Sequence, residues 1–115
     1  EAGGALLLGA AAPLSAVEAL CAARGAADPS PRGEAPRAIA AMLRWFASTQ
    51  IRNVACLGGN LATASPISDM NPVLAALGAV LEVRSRARGP REVAVRDFFR
   101  GYRRVDLAQD ELIMR

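Results

Sequence analysis

Residues Cys56 to Pro72 read CLGGNLATASPISDMNP. Two adjacent glycines and an amide are followed by the hydroxyls of Thr63, Ser65 and Ser68, then by Asp69 and Asn71, with no basic residue in the stretch. The whole chain carries fourteen positive charges, all of them Arg. Their exclusion from its most polar, Gly-rich segment needs a physical reason. Gly58 and Gly59 lack a Cβ, can take positive φ and let backbone approach a partner closely. Successive N–H groups in such a turn form an anion-binding concavity without any cation. Asn60 adds an amide, and Asp69 adds an acceptor suited to a sugar or polyol hydroxyl. The stretch therefore suits a ligand bearing both a phosphate and hydroxyls. It could equally be a plain turn, its hydroxyls capping chain ends and Asp69 or Asn71 capping the next helix. The spacing is neither a Walker A loop nor G-x-G-x-x-G.

On the N-terminal side, ALLLGA at Ala5 to Ala10 fits a buried strand, and the helix after it spans the rest of 5–25. Ser15 and Glu18 have capping-box spacing, Pro13 could sit in the first turn, and Gly25 suits the stop. Residues 26–35 read as a loop rich in breakers. Residues 36–49 read as a helix, with Ile39, Met42, Leu43 and Phe46 on one face. The Gly-rich loop occupies 55–69. Asn71 as cap, Pro72 in the first turn and Gly78 as stop define a helix over 71–78. Alternation then places Leu81 and Val83 opposite Glu82 and Arg84, and pairs them with Val93 and Val95 in a hairpin over 79–96. A turn and a last strand, ELIM, fill 97–115. The reading is an α+β domain with a largely antiparallel sheet and flanking helices.

Composition excludes several functions. Arg-only, Ala-heavy usage reads as compositional bias, and the positives form no stripe with interleaved aromatics, so nucleic acid is not expected as a partner. Cys21 and Cys56 share no CxxC and there is no His, so no metal site is expected. Gly3 to Ala23 is apolar but holds Pro13 and Glu18 without a basic lead, which argues against a signal or membrane segment. The chain opens on Glu rather than Met and ends in ELIMR, like a strand cut short, as expected of an excerpt.

The stretch QIRNVACLGGNLATASPISDMNPVLAALGA, Gln50 to Ala79, closely resembles the FAD-binding domain of the molybdenum hydroxylases, the xanthine dehydrogenase/oxidase group above all. The likeness continues through FFRGYRR at Phe98 to Arg104 and DELI at Asp110 to Ile113. It reaches back through LRWFAS at Leu43 to Ser48 and LGAAAPLSAVE at Leu8 to Glu18. What the resemblance implies is the second lobe of a two-lobed FAD-binding domain of the molybdopterin dehydrogenase type. In that family purine substrates, hypoxanthine and xanthine, are hydroxylated at molybdopterin-bound molybdenum. Electrons then pass through two [2Fe–2S] clusters to FAD, and on to NAD⁺ or O₂. The molybdenum, the clusters and the family's Gly-rich phosphate loop belong to regions outside this chain, so no residue here is expected to be catalytic and the fragment alone is expected to be inactive.

The resemblance further implies FAD contacts from Cys56, Leu57, Gly58, Gly59 and Asn60, from Thr63, Ile67 and Asp69, and from a pocket-lining Ile113. Phe46 matches an aromatic that lies against the flavin, although its place on an apolar stripe also suits a core residue. Close animal enzymes carry Ser where this chain has Cys56, which weakens any hydroxyl contact to phosphate there. The parent would be a cytoplasmic enzyme (a peroxisomal one in the alternative), acting as a homodimer and built with iron–sulfur and molybdenum domains. Two rivals share the lobe: an aldehyde oxidase or a carbon monoxide dehydrogenase-type flavoprotein subunit. A non-catalytic domain that keeps the fold without FAD is a third reading.

Overall fold

A computed structural model describes residues 5–115. Six short helices and five strands follow one another as α1 (Leu14–Ala27), α2 (Glu34–Leu43), α3 (Thr49–Arg52), α4 (Leu57–Thr63), α5 (Met70–Ala76), β1 (Val80–Ser85), β2 (Gly89–Ala94), α6 (Val95–Phe98), β3 (Phe99–Gly101), β4 (Arg104–Val105) and β5 (Glu111–Ile113). A three-stranded antiparallel sheet runs in the order β2-β1-β5, and β3 and β4 form a small hairpin beside it. The fold is thus mixed helix and antiparallel sheet, as the sequence implies.

The alternation read along 79–96 determines the sheet. Leu81, Val83 and Val93 turn one face inward, and Leu81 sits opposite Val93 in the β1–β2 register. Val95, also buried, has already left the strand and opens α6. The helices cover this face with Leu14, Val17, Ile39, Leu43, Leu57, Met70 and Leu74, and Phe98 closes the core. Each such side chain contributes about 1.5–3 kcal/mol when fully buried. Among the described residues no helix is long and apolar enough to cross a membrane.

Several boundaries differ from expectation for local reasons. Leu6 and Leu8 are more buried than Leu7, as in an extended chain, yet Ala5–Ala10 forms no strand. Its tie to the sheet side is the Ala10 N–H donating to the Met114 carbonyl at 2.9 Å. No capping box forms, because α1 starts at Leu14 with Pro13 at the N-cap, which places Ser15 inside the first turn. Gly25 does not stop α1. It is buried where α2 crosses, and a Cβ there would fall 2.6 Å from Arg37 Cγ. Arg37 ends the helix instead, its Nη1 donating to the Gly25 and Asp28 carbonyls at 3.1 and 2.6 Å.

The expected loop over 26–35 is mostly ordered structure, since a 3-10 turn at Pro31–Gly33 runs into α2. The expected helix over 36–49 is two pieces. α2 ends at Leu43, the chain turns through Ala47 at φ +44, and Ser48 caps α3 by accepting the Ile51 N–H at 3.3 Å. Gly78 does stop its helix. At φ +67 it gives a Schellman ending, with the Ala79 N–H on the Leu74 carbonyl and the Gly78 N–H on the Ala75 carbonyl.

The C-terminal segment is held by ion pairs. Arg91 on β2 reaches across β1 to Glu111 on β5 with two 2.8 Å hydrogen bonds, and also bonds the Asp106 carboxylate and carbonyl. This fork holds the Glu111 carboxyl down at a pKa of about 2, and the Ala108 N–H adds to the effect. Ser85, buried on β1, donates to Asp110 at 2.6 Å and accepts the N–H groups of Ala87 and Arg88 in the hairpin turn.

Candidate cofactor-binding site

The segment expected as a glycine loop is largely a helix. Cys56 is extended, at φ −134 and ψ 160, and its Sγ caps α4 by accepting the Gly59 N–H at 3.4 Å. Neither Gly58 nor Gly59 takes a positive φ. The Gly58 N–H donates to the Ala10 carbonyl at 3.0 Å, and the Asn60 N–H donates to the Cys56 carbonyl, also at 3.0 Å. Three N–H groups that a tight turn would aim at a phosphate are therefore engaged within the chain. The glycines serve α4 in another way. A Cβ on Gly58 would fall 2.9 Å from Ala10 Cβ and 3.1 Å from its carbonyl oxygen, so Gly58 lets α4 lie against the N-terminal segment.

The helix sorts its residues by face. Leu57, Gly58 and Leu61 are buried, whereas Gly59 and Thr63, four apart, are exposed, with Cys56 and Asn60 partly so. The Thr63 hydroxyl donates back to the Gly59 carbonyl at 2.8 Å. Ala64 ends α4 in the left-handed region at φ +47, and the chain folds back through residues 65–69. There the Ser68 hydroxyl donates to Asn60 Oδ1 at 3.0 Å and accepts the Asn71 N–H at 3.3 Å. With its carbonyl so engaged, the Asn60 amide presents its NH₂ donors. Ser68, not Asn71, does the capping work on α5. Asn71 is the helix's second residue, 7% exposed, and its Oδ1 has no donor among the described residues. Ile67 is 86% exposed, and Asp69 is exposed with its carboxylate outside any cap.

The ten expected contact residues thus fall into three places. Cys56, Gly59, Asn60 and Thr63 share the outward part of α4, continued by Ile67 and Asp69 on the turn after it. Leu57, Gly58 and Ile113 border a cavity of about 900 Å³, walled by apolar side chains such as Leu8, Ile39 and Leu74. Phe46 stands apart on the turn after α2, half-buried against the core. Sequence reading valued Ser68 only as one hydroxyl among several, and it did not single out Arg52. Arg52 Nη1 donates to the Phe46 carbonyl at 2.8 Å, and no spacing rule announces a bond to a backbone carbonyl.

A model of the FAD binding domain in molybdopterin dehydrogenase matches residues 1–115. The chain belongs to that family. It is 53% identical over 77 residues to a xanthine dehydrogenase of Oryza sativa subsp. japonica, covering 67% of this chain and 6% of that protein. Against the xanthine dehydrogenase/oxidase of Mus musculus it is 46% identical over 106 residues, 92% of this chain and 8% of that protein. Among solved structures, quinoline 2-oxidoreductase from Pseudomonas putida 86 matches with a TM-score of 0.66 at 30% identity, over 76% of this chain and 30% of that one. The CO dehydrogenase of Oligotropha carboxidovorans matches with a TM-score of 0.64 at 32% identity, over 68% of this chain and 27% of that one. The chain therefore spans only 6–8% of these curated relatives.

The outward face of α4 and the turn after it combine amide donors, a hydroxyl, an exposed carboxylate and a glycine without a Cβ. That donor set suits phosphate and ribityl groups better than it suits protein packing. The exposed aliphatic Ile67 offers an apolar contact beside it. The side chains present fit FAD, while the N–H groups of Gly58, Gly59 and Asn60 are engaged within the chain.

Proposed function

We propose that this chain is the second lobe of the FAD domain of a xanthine dehydrogenase-like enzyme. It would hold the cofactor along the outward face of α4 and the turn that follows. The observation that carries this reading is the Asn60–Ser68–Asn71 hydrogen-bond chain, which joins that face to the turn bearing Asp69. Asn60 donates to the diphosphate, Asp69 accepts from a hydroxyl, and Gly59 permits close approach. Thr63 retains lone pairs for a further contact. Cys56 contributes as the helix cap, and Ile67 adds an aliphatic contact. Phe46 shields one flavin face by stacking. Leu57, Gly58 and Ile113 act behind this surface, fixing α4 and β5 around the cavity.

When bound, FAD would supply the redox chemistry between iron–sulfur clusters and NAD⁺ or O₂. This chain's part is position and exclusion of water. Purine hydroxylation, the molybdenum cofactor, the [2Fe–2S] clusters and a homodimeric, cytoplasmic parent belong to the same proposal and follow from the family resemblance read in the sequence. A second reading differs only in substrate. A nicotinate hydroxylase of Emericella nidulans is 53% identical over 76 residues, so similar lobes serve different hydroxylations. The parent enzyme should show a flavin absorbance band and oxidise xanthine with NAD⁺ reduction. Oxidation of an aldehyde or a pyridine ring in place of xanthine would favour the second reading. A parent without flavin would overturn both.

A further inference from the structure

Arg52 closes α3, and its side chain is 14% exposed. Its guanidinium faces two neighbouring carbonyls on another element. Nη1 donates to the Phe46 carbonyl at 2.8 Å and to the Ala47 carbonyl at 3.4 Å. Nη2 reaches the Thr49 hydroxyl at 3.4 Å. Nε lies 3.1 Å from Glu18 Oε2 on α1, within ion-pair range but away from hydrogen-bond alignment. One planar fork therefore ties the turn after α2 to both α1 and α3.

That turn needs such a tie. α2 has ended at Leu43, and Ala47 occupies the left-handed region at φ +44, which a residue bearing a Cβ disfavours. The Phe46 carbonyl lies on the turn past the end of α2, and Arg52 supplies its donor. A Lys has one point charge and cannot span two carbonyls with fixed geometry.

We infer that Arg52 is a positioning residue for the cofactor. It fixes the peptide between Phe46 and Ala47, and so the attitude in which Phe46 presents its ring to the flavin. This inference rests on the proposed contact between Phe46 and the flavin. Arg52 touches no part of the cofactor itself and acts through Phe46.

The test uses the parent flavoenzyme with Arg52→Gln, Arg52→Lys and Phe46→Leu, singly and with Phe46→Leu combined with each Arg52 change. The readouts are FAD dissociation after deflavination and the visible circular dichroism of the bound flavin. Arg52→Gln should weaken FAD about two- to tenfold, the scale of one aromatic contact, and alter the flavin dichroism. Arg52→Lys should recover part of both, and neither Arg52 change should add anything in the Phe46→Leu background. A merely structural role would lower the melting temperature but leave the dichroism of the retained flavin unchanged, and that result would overturn the inference. If Phe46→Leu shifts both readouts while Arg52→Gln and Arg52→Lys shift neither, the flavin contact stands and the role of Arg52 falls. If Phe46→Leu shifts neither, the contact and the inference fall together. Should Arg52→Gln not fold, Arg52→Lys decides alone, with a change in dichroism supporting the inference and an unchanged spectrum opposing it.

Discussion

Asn60 Oδ1 accepts a 3.0 Å hydrogen bond from Ser68, on the turn eight residues further on. That single contact turns a surface helix and the loop behind it into one polar surface, because the Ser68 oxygen also accepts the Asn71 N–H. Ser68→Ala removes the donor that orients the Asn60 amide and the acceptor that starts α5. Loss of a cap of this kind costs about 0.5–2 kcal/mol, which denaturant unfolding should show. FAD affinity should fall as well, because the Asn60 amide becomes free to rotate.

Gly58 and Gly59 should separate fold from site, although they are neighbours. Gly58→Val drives a side chain into Ala10, including its carbonyl oxygen at 3.1 Å from the new Cβ, and should destabilise the fold by about 1–3 kcal/mol. Gly59→Ala places its Cβ 3.3 Å from Cys56 Sγ, tight but against a side chain, and removes a glycine from a helix. It should leave stability unchanged or raise it by about 0.5–1 kcal/mol while lowering flavin retention. Thermal melts and flavin-to-protein ratios on the two variants would check this.

Cys56→Ser should strengthen the cap on α4, because a hydroxyl oxygen accepts the Gly59 N–H better than a thiol whose contact is 3.4 Å. A gain of about 0.5–1 kcal/mol in unfolding free energy is expected, with slower amide exchange at Gly59.

The Arg91–Glu111 fork makes stability depend on acid. Its hydrogen bonds hold the Glu111 carboxyl near 2, below its ordinary 4.5. A group whose folded pKa is depressed contributes fully above its unfolded value and loses that contribution as pH falls through the folded one. The loss should therefore spread over the interval from about 4.5 down to about 2. Asp106 and Asp110, lowered chiefly by Arg100 and by Ser85 respectively, add the same sign. Urea midpoints across that range should fall less steeply for Glu111→Gln than for the parent sequence.

Much of the fold was legible because it rests on period and punctuation. Leu81, Val83 and Val93 announced the sheet face by alternation, and Gly78 announced a helix stop by its tolerance of positive φ. The glycine pair was harder to read. Gly58 and Gly59 signal a turn by propensity, but a cap from Cys56 and the contact with Ala10 outweigh that cost and fold them into α4. The break after Leu43 was hidden because Phe46 continues the apolar stripe, although Ser48 carried an unread capping signal. Nothing local could reveal that Arg52 seeks the Phe46 carbonyl or that Arg91 seeks Glu111, since both pairings exist only once the chain has folded back. At the site, residue types pointed to the polar stretch, while the division of α4 into an inward and an outward face required the helix itself.

The most direct test of the account is the FAD dissociation constant of the parent enzyme carrying Asp69→Ala. A lost hydrogen bond to a charged group costs about 1.5–3 kcal/mol, so affinity should weaken about tenfold to a hundredfold while the melting temperature of the flavin-free protein stays unchanged. An unaltered dissociation constant in the folded variant would contradict the claim that the turn after α4 holds the cofactor.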